Sequence, residues 1–318
     1  MNTAFQISYT LDVLLYIGCM IDEGKRDLYE EDINRFMPML GTISDKYLDK
    51  LKKIHNSTPE FINYIVSMLI VNDHLHDWKT ADLLDRHKRL VVMLKKSEQF
   101  KHVSTDLKKF INGDFSKAIS LIKTIANDLE RLEFKKFWLG EKLPLLKERT
   151  GEYEKMLGRF NIAQHVNGWV GNKKIPASGQ WYMLAYSGDQ YELLLDEFSV
   201  TSPIISANQL FSKIASYALS NTCYRKYCKV LKPTPSLKAE FKGHKLHKTF
   251  KGISGYANKC LKMALKVYLM EGCGETDLEL SEDYPFAAEI LTYLRENEKP
   301  SDVAVGRYMM DMMRRFSK

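Results

Sequence analysis

The sequence predicts an α+β fold that is mainly α, with a helical N-terminal half, a small and mostly antiparallel sheet, and a C-terminal helical part. Apolar residues recur at helical spacing up to about Gly158. Short aromatic and β-branched runs separated by glycine-containing turns follow, and helical spacing resumes from Ser206. A chain of 318 residues is long enough for about two domains. We therefore expect a helical region at 1–157 and an α+β region at 158–318.

The elements of the N-terminal region are all predicted to be helices. Residues 5–21 place apolar side chains on one helix face. Thr58-Pro59-Glu60 has the residue types of a helix start, so the almost entirely apolar stretch 61–71 is expected to be a central buried helix. Further helices are predicted at 28–40, 80–94 and 104–137, the last divided in two at Asn112-Gly113-Asp114.

The C-terminal region is predicted to begin with strands and to end with helices. Strands are expected at 160–170, 180–186 and 191–195, and the tight turns between them favour antiparallel pairing. Helical spacing then predicts helices at 206–219, 254–270 and 286–295 and in the tail from Ser301.

An acidic pair stands between the last predicted strand and the next helix, in the run Asp196-Glu197-Phe198-Ser199-Val200. This run resembles the zinc motif of gluzincin metallopeptidases, in which a helix carries His-Glu-x-x-His. It is most similar to poorly characterised bacterial families in which the motif reads His-Glu-Phe-Ser/Gly-His. The resemblance implies a thermolysin-like core, with Glu197 as the vestigial general base.

The same resemblance implies that the zinc site has degenerated. Asp196 and Val200 replace the two zinc-binding histidines, and valine cannot ligate zinc. The stretch 253–270, where the third ligand is expected, contains no Asp, Glu or His. The protein is then expected to be a catalytically inactive metallopeptidase-like protein that binds a protein or peptide partner, with no cofactor. In the alternative interpretation, the acidic pair only caps a helix.

The segment 223–251 concentrates the positive charge of the chain. It holds nine Lys or Arg residues and one acid, whereas the whole chain has a net charge of +7. Pro233-Thr234-Pro235 and Gly243 predict a long loop or a pair of turns. The binding candidates are Arg225, Lys226, Lys229, Lys245 and Lys248.

This basic insertion has three interpretations. With Tyr224, Tyr227, Phe241 and Phe250 interleaved, it has the composition of a surface that contacts phosphates and stacks bases of a nucleic acid. It also suits an acidic protein or another anion as partner. The simplest interpretation is a solvated surface loop.

A metal-dependent hydrolase with an unconventional site is a further alternative. Asp196, His244 and His247 would hold zinc beside Glu197, because three protein ligands suffice for a catalytic zinc site. No glycine-rich phosphate loop and no Gly-x-Ser-x-Gly motif is present in the sequence.

Composition also leads us to expect a cytoplasmic protein. Five scattered cysteines favour free thiols in a reducing compartment. No basic leader precedes the first apolar stretch, and no segment approaches the ~20 apolar residues of a membrane span.

Overall fold

The computed structural model of the chain forms two compact units. The N-terminal unit comprises Thr3–Glu154 and Gly179–Ile205, and the C-terminal unit comprises Met1–Asn2, Lys155–Ser178 and Ser206–Lys318. The residues that the structure describes are 4–71, 85, 87–89, 91–92, 104–159, 168–169, 180–188, 198–201, 203, 206, 209–210, 212, 223–250, 252–274 and 280–317.

The described part of the N-terminal unit is built mainly from helices, with three short strands. Its strands are β1 (Ala4–Ile7), β2 (Gln180–Met183) and β3 (Phe198–Thr201). Its helices are α1 (Tyr9–Ile21), α2 (Glu23–Arg26), α3 (Glu30–Phe36), α4 (Thr42–Ser57), α5 (Phe61–Val71), α6 (Thr105–Lys109), α7 (Phe115–Arg131), α8 (Phe134–Phe137) and α9 (Leu143–Arg159), the last ending in residues of the other unit. Short π-helical segments at Phe110–Asp114 and Trp138–Lys142 join α6 to α7 and α8 to α9.

The core of the N-terminal unit lies around α1. Every residue from Leu11 to Ile21 is buried, because this stretch is apolar on nearly all sides. Ser8 begins the helix, since its Oγ accepts a hydrogen bond from the Leu11 backbone N–H at 3.3 Å. The predicted buried helix over 61–71 is confirmed as α5, and Phe61 is fully buried.

The sheet is parallel, so the prediction of a mostly antiparallel sheet is wrong. β2 is central, with Ala4 of β1 paired to Gln180 and Phe198 of β3 paired to Gln180 on the other side, all in parallel. The tight turns suggested hairpins, but β2 pairs instead with a strand from the start of the chain. Parallel neighbours need long crossovers, and a partner so distant in sequence leaves no local signal.

Other strand predictions have mixed outcomes. The strand expected at 180–186 is confirmed over Gln180–Met183, whereas the helix expected from residue 5 is wrong over Phe5–Ile7, which belongs to β1. The strands expected at 160–170 and 191–195 lie outside the described residues, apart from a turn at 168–169. The coarser prediction, an α+β fold that is mainly α, is confirmed.

The described part of the C-terminal unit is helical. Its helices are α10 (Cys223–Tyr227), α11 (Pro235–Gly243), α12 (Ile253–Gly272), α13 (Pro285–Glu296) and α14 (Val305–Arg315), with 3-10 turns at Cys228–Val230 and His247–Thr249. The long helix α12 packs against α13 and buries Leu261 and Leu265. Within the described ranges, no helix is long and apolar enough to cross a bilayer.

Candidate nucleic-acid interface

The basic segment is folded into helices and not into the loop that the sequence predicted. Thr234 caps α11, since its Oγ1 accepts from the Leu237 N–H at 3.2 Å, and Pro235 occupies the first helical position. Proline is well placed there because the first N–H groups of a helix have no partner within it. Gly243 then ends the helix. The same Pro and Gly residues that suggested a loop are therefore the two ends of α11.

Eight basic side chains of this segment are exposed, and we refer to them as the basic surface. They are Arg225, Lys226, Lys229, Lys232, Lys238, Lys242, Lys245 and Lys248, which include all five binding candidates. Lys245 forms an ion pair with Asp283, with Nζ and Oδ1 3.6 Å apart. Among the described residues, the other seven make no ion pair. The positive charge thus remains available to a partner.

The single acid of the segment does not offset this charge at the surface, because it points inward. Glu240 Oε1 accepts a hydrogen bond from the Phe286 N–H at 3.0 Å and another from the Tyr256 hydroxyl. The first of these satisfies a free N–H group in the first turn of α13. Burial, followed by the bond to Glu240, raises the pKa of Tyr256. Glu240 therefore joins α11, α12 and α13.

The interleaved aromatic residues also serve the interior of the unit. Tyr224 is only 1% exposed, and its ring lies 5.5 Å from that of Tyr227. Phe241 and Phe250 are half-buried against Tyr256, with ring centroids 5.9 and 5.4 Å from it. The expected stacking of bases on Tyr224 is excluded by its burial. The exposed chemistry of the surface is that of ammonium and guanidinium groups, which bind phosphates.

The two candidate metal-binding histidines lie in the same segment. His244 is buried among aromatic rings, with Tyr284 at 4.7 Å, and its Nδ1 accepts the Leu246 N–H at 3.0 Å. Nδ1 of His247 lies 3.1 Å from the His244 carbonyl oxygen. In the part of the chain that the structure describes, no three His, Cys, Asp or Glu side chains are grouped to hold a metal. The surroundings of His244 are those of a core residue.

The residues of the gluzincin-like motif are only partly described. Asp196 and Glu197, the candidate ligand and the candidate general base, lie outside the described residues. Phe198, Ser199 and Val200 belong to β3. The expected helix is therefore wrong for these three positions, because their backbone pairs with β2 in the parallel sheet.

Sequence reasoning missed a buried polar cluster in the N-terminal unit, at the carboxyl ends of β1 and β2. Asp12 in the first turn of α1 accepts hydrogen bonds from Trp138 Nε1 at 2.8 Å and from the Tyr186 backbone N–H at 3.4 Å. The Tyr186 hydroxyl donates to Asp32 Oδ2 at 3.0 Å, and Lys142 Nζ lies 2.6 Å from the same oxygen. These contacts tie the segment after β2 to α1, α3 and the turn before α9.

The environment of Asp12 perturbs its ionisation. The side chain is fully buried, and burial raises its pKa to about 7, against the lowering effects of the Trp138 and Tyr186 hydrogen bonds and of Lys142. The signal that could have revealed it is a lone acid in the otherwise apolar run from Leu11 to Ile21. Because Asp12 is enclosed, its hydrogen bonds stabilise the fold, and its side chain is not accessible to a ligand.

Comparisons with protein-family models, curated proteins and solved structures returned no match to this chain.

Proposed function

We propose that the protein binds nucleic acid, contacting the phosphate backbone through the basic surface of its C-terminal unit. The observation that carries the proposal is the exposure of eight basic side chains on one short segment whose only acid is turned inward. Each cation that neutralises a phosphate releases a condensed counterion, which gives a large favourable contribution at low salt.

The composition of the basic surface favours a nucleic acid over an acidic protein. Protein interfaces place aromatic and apolar side chains at their centre. In the described part of the segment, Leu246 is the one large apolar side chain that is mostly exposed, at 52%. Seven of the eight cations are lysines, with Arg225 as the exception. Lysine acts as a point charge toward phosphate, so we expect binding with little dependence on base sequence.

The test is a fluorescence-anisotropy titration of labelled duplex and single-stranded oligonucleotides at several salt concentrations. If four of the eight cations contact phosphates, affinity should fall about 100-fold between about 50 and 200 mM salt. The double variant Lys226→Ala/Lys229→Ala should weaken binding to every sequence and reduce the salt slope by about 2.

A matched control is available in the N-terminal unit. Lys46 and Lys53 are exposed on α4, so Lys46→Ala/Lys53→Ala removes the same charge outside the basic surface and should leave binding unchanged. The proposal fails if both double variants weaken binding equally, or if affinity is independent of salt. Equal affinity for polyglutamate would instead identify a general polyanion site.

The gluzincin-like hypothesis of a catalytically inactive protein that binds a protein or peptide partner remains an alternative proposal. What supports it is the motif from Asp196 to Val200 and the lack of acid and His residues in 253–270. The strand at Phe198–Val200 counts against a motif helix at that position. Peptide-library binding that is lost in Glu197→Ala, with oligonucleotide binding retained, would favour this alternative.

A further inference from the structure

A cavity in the C-terminal unit combines aromatic rings with carboxylates. Its volume is about 260 Å³, and Trp169, Tyr268, Glu271, Glu298 and Lys299 are among the residues that line it. The rings of Trp169 and Tyr268 lie 5.7 Å apart at an interplanar angle of 74°. Such an edge-to-face pair places the edge of one ring against the face of the other, and a ring face that lines the cavity attracts a cation.

Two carboxylates and one ammonium group line the cavity, those of Glu271, Glu298 and Lys299. Glu271 forms a two-pronged ion pair with Arg295, including a bond from Nε to Oε2 of 3.0 Å. The Lys299 ammonium donates to the backbone carbonyl oxygens of Pro300 and Val303, each at 3.1 Å. Among the described residues, Glu298 makes no ion pair. A carboxylate beside aromatic rings is therefore free to receive a positive group.

Two further features favour positive charge in the cavity. Leu269, Glu271 and Gly272, at the C-terminal end of α12, line it, and the last turn of α12 contains no basic residue. The negative end of the helix dipole therefore has no cation in that turn. Burial raises the pKa of Tyr268, and the nearby Glu298 and Glu271 raise it further. The contribution of the two glutamates indicates a negative local potential at the cavity wall.

We propose that this cavity binds the ammonium or guanidinium group of an organic cation, placed against Tyr268 and Trp169 and paired with Glu298. The cavity, of about 260 Å³, has room for a small organic cation such as a short alkylamine or the side chain of lysine or arginine. The ligand chemistry is the same for a free amine and for a basic residue of a peptide.

Calorimetric titration of the full chain tests the proposal with simple probes. n-Butylammonium and n-butylguanidinium should bind, whereas n-butanol and butyrate, of similar size but neutral or negative, should bind at least about fivefold more weakly. Putrescine and Nα-acetyl-lysinamide then distinguish the two sources of the cation. Preference for the first identifies a free amine, and preference for the second identifies a basic side chain.

Variants connect the binding to the cavity. Glu298→Gln changes an exposed side chain, so the fold should be kept while the Kd for n-butylammonium rises about threefold to fivefold. Glu282→Gln removes an exposed carboxylate of the same unit that does not line the cavity, and it should leave the Kd unchanged. The proposal is overturned if n-butanol binds as tightly as n-butylammonium, if both variants behave alike, or if the folded protein binds none of the cations.

Discussion

Replacing Asp12 with Asn should abolish a specific part of the pH dependence of stability. In the folded protein burial raises the Asp12 pKa from 3.8 to about 7, so the folded state holds this proton over a range in which the unfolded chain has released it. Folding is therefore linked to proton uptake between about pH 4 and pH 7, and the free energy of unfolding falls as pH rises through this window. Above the pKa of the folded state, Asp12 is ionised in both the folded and the unfolded protein, so it adds no further pH dependence to the free energy of unfolding.

The magnitude follows from the two pKa values. One pKa unit corresponds to about 1.4 kcal/mol, so ionisation of Asp12 should lower the free energy of unfolding by about 2–3 kcal/mol between about pH 5 and pH 8. Asn carries no titrating proton, so Asp12→Asn should lack this slope. The variant is also expected to be less stable at low pH by about 1–3 kcal/mol, because an amide cannot accept from both Trp138 and Tyr186.

Urea denaturation followed by tryptophan fluorescence at a series of pH values measures both quantities. Asp114→Asn is the control, because Asp114 is an exposed carboxyl in the same unit and should leave the wild-type slope intact. Wild type and Asp12→Asn would contradict this prediction if they lost stability in parallel between pH 5 and pH 8. Such a result would mean that the hydrogen bonds from Trp138 and Tyr186 outweigh burial and keep Asp12 ionised.

Two further predictions concern the scaffold of the basic surface. Thr234→Ala removes the acceptor of the Leu237 N–H and should lower the free energy of unfolding by about 1 kcal/mol in urea denaturation. Thr234→Ser keeps a hydroxyl at this position and should retain most of the wild-type stability. Glu240→Ala leaves the Phe286 N–H and the Tyr256 hydroxyl without their acceptor and should cost about 2–3 kcal/mol in the same assay. Wild-type stability in Glu240→Ala would show that these bonds contribute nothing.

Most of the helices could be predicted from the sequence because their signals are local. The apolar stretch that became α5 is buried whichever way the chain turns, and the spacing at 286–295 predicted α13 to within a residue at each end. The apolar periodicity of a helix depends only on residues that are three and four positions apart. It can therefore be recognised in a single sequence.

The charge of the candidate site could be predicted from the sequence, but its secondary structure could not. The charge of 223–251 is evident from the sequence, and the structure shows eight of its nine cations exposed. Its helix α11 was missed because proline and glycine were interpreted as interruptions, whereas Thr234 and Pro235 form a helix start. Whether a given Pro or Gly lies inside an element or at its end depends on where the backbone hydrogen bonds begin.

The tertiary structure alone decided the sheet, the ionisation of Asp12 and the cavity. β1 pairs with β2 across more than half of the chain, and no local pattern encodes a partner at that separation. Asp12 titrates near neutrality only because residues from distant segments enclose it, among them Trp138 and Tyr186. The cavity joins Trp169 to the end of α12 and to Glu298. Local patterns in the sequence predicted most of the helices and the distribution of charge, whereas the environment of each polar group arises from contacts between remote residues.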